Sequence, residues 1–138
     1  MLARALGAFA LILALTTGSA SAQNAPEGSE PVSRGRPLHE WIADLKAPAP
    51  ATRNAAAYEI ASLGPAAKPA VPALIAALDD PEAAVRFPVT VALGEIGPDA
   101  AAAVPRLKQM MFEEINDEIA ASARRAIRHI QPSALAGQ

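Results

Sequence analysis

Cysteine is absent from this 138-residue chain, which excludes a disulfide framework, thiolate metal sites, a cysteine nucleophile and a lipid attached through cysteine after signal cleavage. Histidine is scarce. His39 and His129 lie far apart in sequence with no partner at a metal-ligand spacing such as HExxH, so neither zinc nor a catalytic base is suggested and both read as surface residues. An excess of positive charge is missing too: a formal net charge of −2 lacks the electrostatic footprint of a nucleic-acid binder. No G-x-S-x-G, P-loop or G-x-G-x-x-G occurs, and the carboxylates fall where turns and polar helix faces belong, so the expectation is a non-enzyme with no cofactor and no metal. Aromatics are only 4% of the chain, and an alanine-rich composition of this length leans towards one helical domain.

What is present begins with a targeting pattern. Arg4 supplies a positive start, Leu6 to Leu15 an apolar run, and Ala20-Ser21-Ala22 a small-residue cleavage site, so residues 1–22 read as a signal peptide cut after Ala22. The run falls short of the ~20 residues that span a bilayer, so no stable membrane insertion is expected after cleavage, and the product is exported, periplasmic or secreted. Residues 23–36 are rich in Pro, Gly, Ser and Glu without apolar periodicity and read as a flexible linker. Residues 133–138 read as a short frayed tail.

Between them the chain repeats itself. TRNAAAYEIASLGP and VRFPVTVALGEIGP set Arg53 against Arg86 and Gly64-Pro65 against Gly97-Pro98 at an offset of 33. The same offset relates Leu38, Trp41 and Leu45 to Val71, Leu74 and Leu78, and these to Val104, Leu107 and Met111. IAASARRAIRHIQP follows at an offset of 34, which places one extra residue near Glu113 to Asp117. Three units of about 37–68, 69–101 and 102–132 result, forming a repeat domain over 37–132.

Within a unit the spacing is helical: Val71, Leu74, Ile75 and Leu78 form one stripe, and Val85, Val89, Ala92, Leu93 and Ile96 another. Gly64 and Gly97 suit left-handed helix ends. Asp80 is expected to cap the second helix of the middle unit with Pro81 at its first position. Pro88 inside that helix predicts a kink or a late start, because it removes the hydrogen bond to the Ala84 carbonyl. Small residues on the second helices, Ala55, Ala56, Ala92, Ala123 and Ala126, should permit close layers. A single pair cannot bury its stripe alone, so the expected fold is all-α: a superhelix, or solenoid, of three stacked helix pairs.

The strings ASLGP with AVPALIAAL, and ALGEIGP with AVPRLKQMM, resemble HEAT repeats of the PBS-lyase type over residues 37–132, although Gln131 stands where the third unit should have glycine. The resemblance implies a scaffold or binding module with a protein or peptide partner. An accessory related to bilin lyases and a purely structural spacer are the alternatives. It further implies a structural role for Arg53 and Arg86 as bridges to acids in the turns between helices, with Asp79 and Asp80 available to Arg86.

By analogy with related solenoids the second helices line the concave face. Its positions are Asn54, Tyr58 and Ala61, then Phe87, Val91 and Gly94, then Ala121, Arg125 and Arg128. Tyr58, Phe87, Val91, Arg125 and Arg128 are the candidate partner-binding residues, with Phe87 alternatively folding over its neighbouring helix. Arg124, Arg125 and Arg128 read either as a docking patch for carboxylates or, preferably, as partners of the local acids and the helix dipole. Met110, Met111, Phe112 and Ile115 gather near the insertion, where an exposed edge could support a homodimer.

Overall fold

Glycine followed by proline sets the punctuation of the chain. In a computed structural model, which describes residues 28–137, Gly64 and Gly97 take φ of +55° and +79°, a region that L side chains avoid. At Gly97 the ψ of −143° keeps the backbone out of the α region, as the following Pro98 demands. Each glycine ends a second helix and opens a 3-10 run, Gly64–Ala70 and Gly97–Ala103, whose Ala67, Ala70, Ala100 and Ala103 are buried.

Six α-helices follow in order: α1 Leu38–Asp44, α2 Pro50–Ser62, α3 Val71–Ala77, α4 Ala83–Ile96, α5 Val104–Glu113 and α6 Asp117–Ile130. They form three packed pairs, and the second helices stack on one another, with α4 between α2 and α6. The expected stripes face one continuous core. Leu38, Trp41 and Leu45, Leu74 and Leu78, and Leu107 and Met110 come from the first helices and the turns after them. They meet Ile60, then Val85, Val89, Leu93 and Ile96, then Ile119, Ala123, Ile127 and Ile130. Each large aliphatic here contributes about 1.5–3 kcal/mol by leaving water. Ala56, Ala92, Ala123 and Ala126 are buried between layers as expected, whereas Ala55 is exposed.

The end of α6 nearest the insertion is fixed by Asn116, whose side chain accepts the Glu118 and Ile119 N–H groups at 3.0 and 3.2 Å. Asp117 and Glu118 lie in its first turn and Arg128 and His129 in its last, complementing the helix dipole.

Four local expectations need correction. The segment ending at residue 36 is not wholly a linker: β1, Val32–Ser33, pairs antiparallel with β2, Arg36–Pro37. Its turn carries positive φ at both Arg34 and Gly35, the pattern of a tight two-residue hairpin. This hairpin lies against α1 and α2. Trp41 Nε1 donates to the Ser33 carbonyl at 3.2 Å, and the Arg36 guanidinium sits 4.0 Å from the Trp41 ring centre. At the other end Pro132–Leu135 forms a 3-10 turn, and Ala134 and Leu135 are packed on the core, so the tail is folded back as far as these residues. The third correction is the start of α4, which begins at Ala83 rather than Pro81. Asp80 caps only the Glu82 N–H, at 3.0 Å.

The last concerns Pro88. Neither a kink nor a late start at this residue is found: α4 begins at Ala83, ahead of Pro88, and continues through it to Ile96. The Ala84 carbonyl that Pro88 cannot serve is taken by Asn54 Nδ2 of α2 at 2.5 Å. Asn54 is therefore a bond between layers rather than a free member of the concave face. The expected signal peptide, residues 1–22, lies outside the described residues.

Candidate functional site

The strongest polar feature is a two-rung ladder running from layer to layer. Arg53 on α2 donates to the Ala47 and Pro48 carbonyls of its own turn at 2.9 and 3.0 Å, and reaches Asp80 in the next unit with Nε and Nη2 at 2.7 and 3.1 Å. Arg86 on α4 repeats this one layer on. It donates to the Asp80 and Pro81 carbonyls at 2.8 and 3.1 Å, and to Glu114 at 2.8 and 2.9 Å. The planar guanidinium meets each carboxylate with two parallel bonds. Arg86 thus takes Glu114, not the side chains of Asp79 or Asp80. Asp79 binds Arg106 at 2.7 Å instead.

The ladder is partly desolvated: Arg53 and Asp80 side chains are 12% and 7% exposed, Arg86 and Glu114 19% and 9%. Burial on its own would raise Asp80, but the Arg53 hydrogen bond, the Glu82 N–H and the charges of Arg53 and Arg86 bring it below its ordinary value. Glu114 is lowered chiefly by its hydrogen bond from Arg86. Both arginines are correspondingly raised, first by those same bonds. The repeat offsets place Ala47 at the acid position of the first unit and Ala120 at the arginine position of the third. The rungs stop where no neighbouring partner stands.

The concave-face residues come out in separate places. Tyr58 on α2 is 47% exposed. Phe87 is half-buried against the core, the packing alternative foreseen for it. Val91 and Arg125 come together in a depression of about 110 Å³ with Glu95 and His129 between α4 and α6. Gly94 is closed off, since a Cβ there would lie 3.2 Å from Ala126 Cα. Beside it Thr90 and Ser122, both buried, share a 2.6 Å hydrogen bond, and Thr90 donates its own hydrogen to the Phe87 carbonyl at 2.7 Å. Arg128 lies apart from Val91. It joins Arg124, Met111, Phe112 and Leu135 on the outer flank of α6.

The preferred reading of the α6 arginines as partners of local acids is not what the structure shows. Glu114 is taken by Arg86 and Glu113 lies 3.3 Å from Arg106. Among the described residues Arg124, Arg125 and Arg128 have no side-chain hydrogen bond or ion pair, and all three are exposed. Only the dipole term applies, and it applies to Arg128 in the last turn. Near the insertion Met110 is buried, whereas Phe112 and Ile115 are 72% and 97% exposed.

His39 is bonded to Glu30, through its backbone N–H and through Nδ1 at 2.7 Å. Among the described residues no group of three or more His, Asp or Glu is placed to hold a metal ion, and no helix is long and apolar enough to cross a membrane. A family model described as HEAT repeats matches residues 38–128. No curated protein and no solved structure matches the chain.

Proposed function

Because the chain belongs to the HEAT-repeat family, helical scaffolds that are typically non-catalytic, we propose that it is an exported binding module that holds a protein or peptide along its second helices. One observation carries this reading: Tyr58, Val91 and Arg125 occupy one repeat position on three consecutive second helices, and none belongs to the core. Tyr58 supplies an amphipathic anchor, Val91 a shallow apolar depression and Arg125 an unpaired donor set. Phe87 widens the apolar part, whereas Arg128, on the outer flank of α6, lies outside this face.

A photo-crosslinking residue at position 58 or 125, expressed in the source cell, should capture a discrete partner, while the same residue in place of exposed Ala76 on α3 should not. Equal labelling from all three positions would favour a spacer. Export is supported by the order Arg4, Leu6 to Leu15 and Ala20-Ser21-Ala22, and cell fractionation with N-terminal sequencing after Ala22 tests it. The exposure of Phe112 and Ile115 favours self-association through that edge as a second reading. A monomeric mass by light scattering at high concentration removes it.

A further inference from the structure

The outer flank of α6 departs from the rule that both inner interfaces follow. Between α4 and α6 the layers meet at Thr90 and Gly94, and the matching positions of α2, facing α4, are Ala57 and Ala61. One offset further on, the same two positions are Arg124 and Arg128. Layers that approach closely enough for a Cβ at Gly94 to crowd a backbone atom cannot form over two arginines. This flank is therefore built for something other than stacking of the inner kind.

Three properties define what it suits. Arg124 and Arg128 are exposed, and among the described residues neither has a carboxylate partner. They rim two adjoining depressions of about 310 and 370 Å³, whose shared floor is half-buried Met111. Phe112 and half-buried Leu135 complete the second. The arginines are four residues apart on one helix face, about 6 Å along its axis. Carboxylates two residues apart in an extended chain are about 6.6 Å apart on one side of it.

We propose that this flank binds an extended acidic segment of another protein. Two carboxylates at alternate positions pair with Arg124 and Arg128, and an apolar side chain further along the same side rests on Met111, Phe112 and Leu135. A polyphosphate fits less well, because the apolar floor of Met111, Phe112 and Leu135 would be left without a partner. The inference rests on the binding-module reading for the class of partner, but not on the Tyr58 face.

The test is fluorescence anisotropy at low salt with a short labelled peptide alternating glutamate and leucine, its glutamine-for-glutamate counterpart, and an oligonucleotide of equal charge. The glutamate peptide should bind, and Arg124→Gln/Arg128→Gln should weaken it about tenfold, the effect of two exposed ion pairs lost together. That variant should keep its melting temperature to within about 4 °C, since neither side chain has an ion-pair partner to lose and only Arg128 meets the helix dipole. Tyr58→Ala/Phe87→Ala should bind the peptide within about twofold of the parent, and its crosslinking partner is a separate readout, so either site can fail alone. Absent binding, equal binding of the glutamine peptide, tighter binding of the oligonucleotide or an unchanged affinity in the double arginine variant would each overturn the proposal.

Discussion

Replacing Arg86 by methionine isolates one rung of the ladder, because methionine keeps the apolar stem in place and removes only the guanidinium. Four hydrogen bonds disappear: two to Glu114, at 2.8 and 2.9 Å, and two to the Asp80 and Pro81 carbonyls, at 2.8 and 3.1 Å. Glu114, 9% exposed, is left with only backbone N–H donors such as Asn116 at 3.3 Å. Exposed pairs contribute about 0.2–1 kcal/mol, while stranding one member of a buried pair costs about 3–5 kcal/mol. A pair at 19% and 9% exposure lies between these limits, so the expected loss is about 2 kcal/mol. For a domain of this size that lowers Tm by roughly 8 °C.

Thermal melts followed by circular dichroism at neutral pH, on Arg86→Met, Glu114→Gln and the double variant, complete a cycle. The double variant should recover about 1 kcal/mol relative to the sum of the singles, because the stranded charge has gone. A Tm shift below about 2 °C for Arg86→Met, or strict additivity in the cycle, would refute the claim that the rung ties the second layer to the third.

Asn54→Ala should cost about 0.5–1 kcal/mol by chemical denaturation, and little in a Pro88→Ala background, where the restored N–H can bond Ala84; equal costs in both backgrounds would break the proposed link. Gly94→Leu should destabilise by about 2 kcal/mol through overpacking against Ala126, and a neutral result would mean that α4 and α6 separate easily. Asp80 and Glu114 are both lowered in the folded state, so their stabilisation is fully present above the unfolded carboxylate range and is lost as pH falls through the folded values. Tm should hold near neutrality and fall below about pH 4, with a shallower acid limb in Glu114→Gln measured by the same melts.

The pairing of helices was legible because a period of 33 or 34 residues carries stripe, glycine and proline together, so each feature supports the others. Positive φ at Gly64 and Gly97 followed from the same register. The ladder was half legible: a recurring arginine pointed to the turn acids, but the choice of acid depends on how layers are offset in space. Arg86 reaches past Asp79 and Asp80 to an acid in the following unit. That offset also left the α6 arginines unpaired, because Glu113 and Glu114 are engaged from the other side. The hairpin was missed because two-residue strands are too short for alternation to register. Its one local signal was Arg34-Gly35, weaker than the Asn-Gly or Asp-Gly pairs that usually announce such a turn.

Departures from the repeat concentrate at the two outer layers, and they do so for a common physical reason. The inner second helix, α4, presents small residues to both neighbours, Ala92 towards α2 and Thr90 and Gly94 towards α6. On α2 the position matching Ala92 is Glu59, which accepts Ser33 Oγ at 2.6 Å and pairs with Arg34 at 2.7 Å, so the hairpin covers the side where a preceding layer would lie. On α6 the outward positions are Arg124 and Arg128, and solvent covers them. Charge at each end replaces alanine because a bare row of small apolar residues would invite further stacking. The first end is satisfied within the chain by Ser33 and Arg34, whereas the second keeps its donors free. That asymmetry leaves the α6 flank, and not the hairpin, open to a partner.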